Sequence, residues 1–302
     1  MLPFFDAGPP IALAMTALYG VLAATSLSVK VAARGAAPGT LSRQVNAWWR
    51  IFPFVTLALL AYPFGLQALA GLVCLLAVLE LAPYYPGRRA VFYAGAAAIV
   101  SGLACLGWLF PACAVPWFGA AVGAGLLRYR SRPDAAALAW LALLATAGAM
   151  QVVGAFAALP FGAGMNLAWL FYLFILTALN DIGQFVAGKL FGRHRIAPTV
   201  SPNKTWQGLA GGIVVSQALG IALGAWLGLA DAATMAVFGL LLSVAGFCGD
   251  LLFSAIKRRL AIKDFSQLIP GHGGILDRVD SLVLTAPLLH LLLCSAQPGQ
   301  AP

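Results

Sequence analysis

Residues 254–281 read SAIKRRLAIKDFSQLIPGHGGILDRVDS. The stretch lies between apolar runs at about 232–253 and about 281–296. It gathers Lys257, Arg258, Arg259, Lys263, Asp264, His272, Asp277, Arg278 and Asp280 in a chain where only 9% of residues are charged. A dense polar interval between two apolar runs reads as a loop at a membrane face, joining two spanning helices.

The same alternation runs through the whole chain. Hydrophobic residues make up 62% of the 302 residues and mean hydropathy is +0.92. A water-soluble domain is about half apolar and about a quarter charged, so this composition excludes one. Runs long enough to cross lipid as helices lie at about 11–29, 66–83, 90–110, 135–157, 165–187, 206–229 and 232–253, with the shorter 281–296 after them. Two more, about 51–65 and about 112–127, are marginal and could also be tilted or re-entrant. Counting both gives ten spans; counting neither gives eight.

The cations choose between these counts. With ten spans, all 18 Lys and Arg fall in or at the edges of loops 30–50, 84–89, 128–134, 188–205 and 254–280. The opposite loops, near Pro63, Pro111, Pro160 and Asp231, hold none. Positive-inside bias makes the basic side cytoplasmic and puts both termini on the other side. The expected fold is therefore an all-α polytopic integral membrane bundle of eight to ten spans, ten preferred, forming one membrane domain over 1–302. The net charge of +9 is explained by topology, without nucleic acid as a partner. No basic region precedes the first apolar run and no cleavage site follows it, so that run is expected to be a retained span. The five cysteines form no CxxC pair and read as small core residues.

Four polar clusters interrupt this pattern. Asn180, Asp181 and Gln184 share one helix face inside an apolar run. Intramembrane ionisable groups are expensive and mark function; the alternative is an interhelical hydrogen-bond cluster. In APTVSPNKTWQG, Ser201 and Pro202 read as a helix N-cap and first helical residue, placing Lys204 in the first turn. Backbone N–H groups and a lysine there suit phosphate, while a plain interfacial lysine is the alternative. Asp250 closes an apolar span, and Ser254, Lys257 and Arg258 continue a polar stripe from it. Finally, Pro270, Gly271, Gly273 and Gly274 make a loop whose backbone can approach a ligand, followed by Asp277, Asp280 and Ser281 on one helix face. Carboxylates among cations can hold Mg²⁺, which bridges to substrate phosphates. As chemistry, this is a phosphate-handling metal site at a membrane surface.

Residues Ser254 to Asp280 fill the pattern S-x-[apolar]-K-R-x4-K-D-x-S-x2-I-P-x-H-G-G-[apolar]-x-D-R-x-D. This resembles the signature of the phosphatidate cytidylyltransferase (CDP-diacylglycerol synthase) family. GKLFGRH…PTVSPNKTWQG and GDLLFSAIKR resemble further segments of that family, and the likeness is carried by about 177–281. It implies transfer of a cytidylyl group from CTP to phosphatidic acid, giving CDP-diacylglycerol and pyrophosphate in phospholipid synthesis. It also implies Mg²⁺, with a second, monovalent cation such as K⁺ reported in the family. The implied setting is a bacterial inner membrane with the active site facing the cytoplasm; membrane lipid is a further partner, and a homodimer is left open.

By motif position, Asp250 and Asp277 map to the metal carboxylates, with Lys257 and Arg258 beside them as catalytic cations. Asn180, Asp181, Ser201, Lys204, Lys263, His272, Gly273, Gly274, Arg278 and Asp280 are the expected substrate-binding set. His272 is not expected to be a base, because the attacking phosphate is already ionised. One position departs from the family: Phe253 stands where a Glu is usual. That departure keeps open a CTP-dependent transferase acting on another lipid phosphate or lipid alcohol, or a weakly active lipid-binding paralogue. A transporter fits less well, since paired broken helices are not apparent.

Overall fold

The structure is a computed structural model that describes residues 8–32, 40–268 and 273–295. His272, with Pro270 and Gly271, lies outside the described residues. The helices are α1 (Gly8–Ala32), α2 (Thr40–Leu60), α3 (Phe64–Leu81), α4 (Arg89–Leu109), α5 (Ala114–Ser131), α6 (Ala135–Ala155) and α7 (Ala163–Phe191). A short hairpin follows, β1 (Arg195–Ala197) and β2 (Ser201–Thr205). After it come α8 (Trp206–Leu227), α9 (Ala232–Arg259), the single turn α10 (Leu276–Val279) and α11 (Leu282–Ser295). Among the described residues, eight segments are long and apolar enough to cross a membrane: α1, α3, α4, α6, α7, α8, α9 and the α10–α11 segment. Both marginal runs are helical too, as the apolar end of α2 and as α5.

Contacts fix the directions. Trp49 donates to Ser26 and Tyr19 meets Thr56, so α1 and α2 run antiparallel. Gly125 meets Leu141 while Gly148 meets Phe118, so α5 and α6 do the same. Gly95 against Trp140 and Gly107 against Gln151 make α4 parallel to α6. Gly183 against Val215 and Gly220 against Tyr172 reverse α8 on α7, and Gly246 against Thr285 with Gly249 against Ser281 reverse α11 on α9. Successive long helices thus alternate, and the basic segments 84–89, 128–134, 188–205, 254–268 and 273–280 lie at one end of the bundle.

The core follows from residue size. Helix α6 is rich in alanine and almost wholly buried, with α3, α4, α5 and α11 packed round it. Lipid tails give no hydrophobic drive between helices, so small residues that permit close backbone approach hold such a bundle together. The starts of α6 and α9 are fixed by short polar side chains. Asp134 accepts from the N–H of Ala137 at 2.7 Å, and Asp231 accepts from Ala233 and Thr234.

The start of α8 corrects the sequence reading. Ser201 is in strand β2, opposite Ala197, and is not a cap. The cap is Thr205, whose hydroxyl accepts from Gly208 N–H at 3.0 Å. Lys204 therefore precedes the helix. Arg195 pairs with Thr205 and Ala197 with Ser201 across the hairpin, so the chain is extended here instead of opening a helix early. The span carrying Asp250 also continues to Arg259, so Asp250 lies within helix α9, not at its end.

Candidate active site

The basic end holds three linked clusters. In the first, Lys204 Nζ lies 2.6 Å from Asp250 Oδ2 and also donates to the Phe247 carbonyl at 3.3 Å, with its ammonium over the Phe247 ring. Ser281 Oγ donates to Asp181 Oδ2 at 2.9 Å, bridging the start of α11 to α7. Asp280, buried, accepts from the Ser281 N–H. Asp181, Asp250 and Asp280 stand near enough to repel one another, with Lys204, Lys257 and Arg278 offsetting them. Gly249 makes this approach possible, because a Cβ there would strike the Asp280 carbonyl.

In the second cluster, Lys257 donates to Asp277 Oδ1 at 2.6 Å. Asp277 Oδ2 accepts from the N–H groups of Phe265 and Gly274 at 3.1 and 2.9 Å. Gly273 has a φ of +80°, where an L side chain is strained, and a Cβ on it would press on this same carboxylate. Both oxygens of Asp277 are thus engaged, and the side chain is buried.

The third cluster is one the sequence reading missed. Glu80, near the C-terminal end of α3, is 5% exposed. It accepts from Ser266 Oγ at 2.7 Å and from the N–H groups of Ile275 and Leu276 at 2.7 and 3.0 Å. A Cβ on Gly274 would meet its oxygens. Glu80 therefore caps α10 and ties the glycine loop to a helix almost two hundred residues away. The signal was available: Glu80 is the only Glu in the chain, inside an apolar run.

The remaining expected residues divide by placement. Asn180 is buried and accepts from Ser216 and Ser243, joining α7, α8 and α9 as an interhelical cluster. Arg258 donates to the carbonyls of Val200 and Ile262, bracing the hairpin against the chain after α9. Lys263 and Arg278 are exposed at the same end. Phe253 is fully buried and meets Phe265 edge-on, with ring centres 6.1 Å apart.

A divalent cation can be tested against these groups. Among the described residues, no three His, Cys, Asp or Glu side chains stand within common ligating reach. Mg²⁺ does not require that, since it is usually held by one or two carboxylates with water and substrate phosphates. Asp181 Oδ1 is buried without a hydrogen-bond partner, and Asp250 is a third exposed beside it. A buried carboxylate oxygen left unpaired calls for a cation or a donor. Asp181 and Asp250 fit Mg²⁺ on that basis, whereas Asp277, expected as a ligand, has both oxygens already occupied.

The described residues form a helical membrane bundle with carboxylates and lysines gathered at one end. The sequence profile of the cytidylyltransferase family matches residues 42–296, and the chain belongs to that family. The match reaches well beyond residues 177–281. Among relatives, the protein YnbB of Escherichia coli, described as uncharacterised, is 43% identical over 122 residues, covering 40% of this chain and 41% of that protein. The phosphatidate cytidylyltransferases of Staphylococcus haemolyticus and Staphylococcus aureus are 38% and 37% identical over 136 residues, covering 42% of this chain and 50% of each relative. The chain thus matches about half the length of these curated relatives. It is a polytopic helical membrane protein of that family, with bacterial relatives.

Proposed function

We propose that the protein transfers the cytidylyl group of CTP to phosphatidic acid at the basic end of the bundle, facing the cytoplasm. One observation carries the reading: Asp181, Lys204, Asp250 and Ser281, from four separate elements, meet at the end where the cations gather. In the reaction a phosphate oxygen of the lipid forms a bond to the α-phosphorus of CTP. The bond from that phosphorus to the bridging oxygen breaks, and pyrophosphate leaves with the electron pair. The attacking oxygen is already ionised, so no strong base is required. Positioning and charge neutralisation supply the rate.

Asp181 and Asp250 would hold Mg²⁺, which neutralises charge on the transferring phosphates. Lys204 sits where it can pass from Asp250 to a phosphate. Lys263 and Arg278 offer exposed positive charge to CTP or the lipid headgroup. Asp277 with Lys257, and Glu80, shape the loop that presents Gly273 and Gly274. Phe253 favours a second reading, a different lipid phosphate or lipid alcohol as acceptor, since an apolar ring fills the position where the resemblance leads one to expect an acid.

The test is an assay of purified protein in detergent with radiolabelled CTP, Mg²⁺ and a panel of lipid acceptors. Labelled CDP-diacylglycerol with phosphatidic acid is the expected product. Product only with another lipid phosphate or alcohol would transfer the assignment to the second reading.

A further inference from the structure

Where α11 begins, its backbone presses into a notch on α9 made by Gly246 and Gly249. A Cβ on Gly249 would strike the Asp280 carbonyl and come within 3.3 Å of Ser281 Cα. One on Gly246 would lie 3.5 Å from Thr285 Cγ2 and 3.7 Å from Ser281 Cβ. Without side chains in the notch, Ser281 reaches past α9 to α7, where its hydroxyl donates to Asp181 Oδ2 at 2.9 Å. Ser281 is 2% exposed, so its side of the bond is shielded from water. One turn deeper on both helices, the hydroxyls of Thr177 and Thr285 meet at 3.2 Å. The seam between α7 and α11 thus has two polar rungs, and the rung nearer the basic end is the one that engages a carboxylate.

The two oxygens of Asp181 are therefore unlike. Oδ2 takes the Ser281 hydroxyl, while Oδ1 is buried without a hydrogen-bond partner. The terminal torsion of an aspartate is broad and roughly two-fold, so α7 alone does not decide which way the carboxylate faces. A donor from a second helix does. Hydrogen bonds to a metal-ligating carboxylate fix its orientation, and removing such a partner typically costs about 10–100-fold in metal affinity. We propose that Ser281 is a positioning residue: its hydroxyl pins Oδ2 of Asp181, so that Oδ1 is the oxygen offered to the divalent cation. The proposal rests on the reading above, in which Asp181 and Asp250 hold that cation.

The probe is Mn²⁺ alone, titrated into the purified full chain in detergent without nucleotide or lipid. The electron paramagnetic resonance signal of free Mn²⁺ gives the bound fraction, with no assay of turnover. Ser281→Ala deletes the hydroxyl and should weaken Mn²⁺ binding about tenfold or more. Thr177→Val keeps its shape, breaks the deeper rung of the same seam and touches no carboxylate, so it should bind Mn²⁺ as wild type does. Each variant loses one seam hydroxyl, so a general loosening of α7 against α11 would weaken both alike. Wild-type affinity in Ser281→Ala overturns the proposal, and so does an equal loss in Thr177→Val. Asp181→Asn separates this step from the reading beneath it. Mn²⁺ binding that is absent in wild type, or unchanged in Asp181→Asn, overturns the metal assignment and the proposal together. Binding lost in Asp181→Asn but kept in Ser281→Ala overturns the proposal alone.

Discussion

At the scale of single residues, two carboxylates that hold the loop, Glu80 and Asp277, are separable from two that we propose serve the substrates, Asp181 and Asp250. Glu80→Gln keeps the shape but weakens charged hydrogen bonds to two N–H groups and a hydroxyl, each worth about 1.5–3 kcal/mol. The expected outcome is faster hydrogen exchange at amides 265–276, with KM for CTP raised more than kcat is lowered. Lys204→Met should lower turnover by about a hundredfold or more, the scale set by removing one charge-stabilising donor, with the protein still folded. Unchanged turnover would return Lys204 to a plain interfacial role. Phe253→Glu should destabilise the fold, because it buries an acid against Phe265, beside a loop already holding Glu80 and Asp277. A lower thermal midpoint in detergent checks this, and the absent acid is then not simply restored by mutation.

At the scale of elements, the starts of α6, α8 and α9 are set by side-chain caps. Thr205→Val removes the hydroxyl cap of α8 and should cost about 1 kcal/mol, read as a lower thermal midpoint. Asp231, exposed at the start of α9, has its carboxyl held below the usual 3.8 by the Thr234 hydroxyl and by the N–H groups of Thr234 and Ala233. A depressed folded-state value means the stabilisation is complete above the unfolded value and is lost as pH falls through the folded one. The stability gap between wild type and Asp231→Ala should therefore close as pH drops below about 4; a gap constant down to pH 2 would contradict it. The helices were legible because lipid demands long apolar runs. The β1–β2 hairpin was not, since Ser201 and Pro202 also satisfy the local signal for a helix start, and only pairing with Arg195 and Ala197 decides otherwise. Likewise the motif order showed Asp250 and Asp277 as a pair. That Asp277 faces Lys257 and two N–H groups depends on how the loop returns, which spacing does not encode.

At the scale of the whole molecule, alternation of helices brings distant cations to one end. If the ten-span, cytoplasm-facing reading holds, cysteines introduced near Arg88, Arg130, Arg195 and Lys263 should all react from the cytoplasmic side, and ones near Pro160 and Asp231 from the other; mixed sidedness within the first group would contradict that reading. The same fold brings Asp181 of α7 beside Asp250 of α9, although 69 residues separate them in sequence. The central claim is that these two, and not Asp277, meet the metal. The direct measurement is CDP-diacylglycerol formation by purified protein as Mg²⁺ is titrated against Asp181→Asn, Asp250→Asn and Asp277→Asn. The account predicts that the first two raise the Mg²⁺ needed for half-maximal turnover or abolish turnover at any Mg²⁺. Asp277→Asn should lower turnover at an unchanged Mg²⁺ requirement. A shifted requirement in Asp277→Asn, with wild-type dependence in the other two, would contradict it.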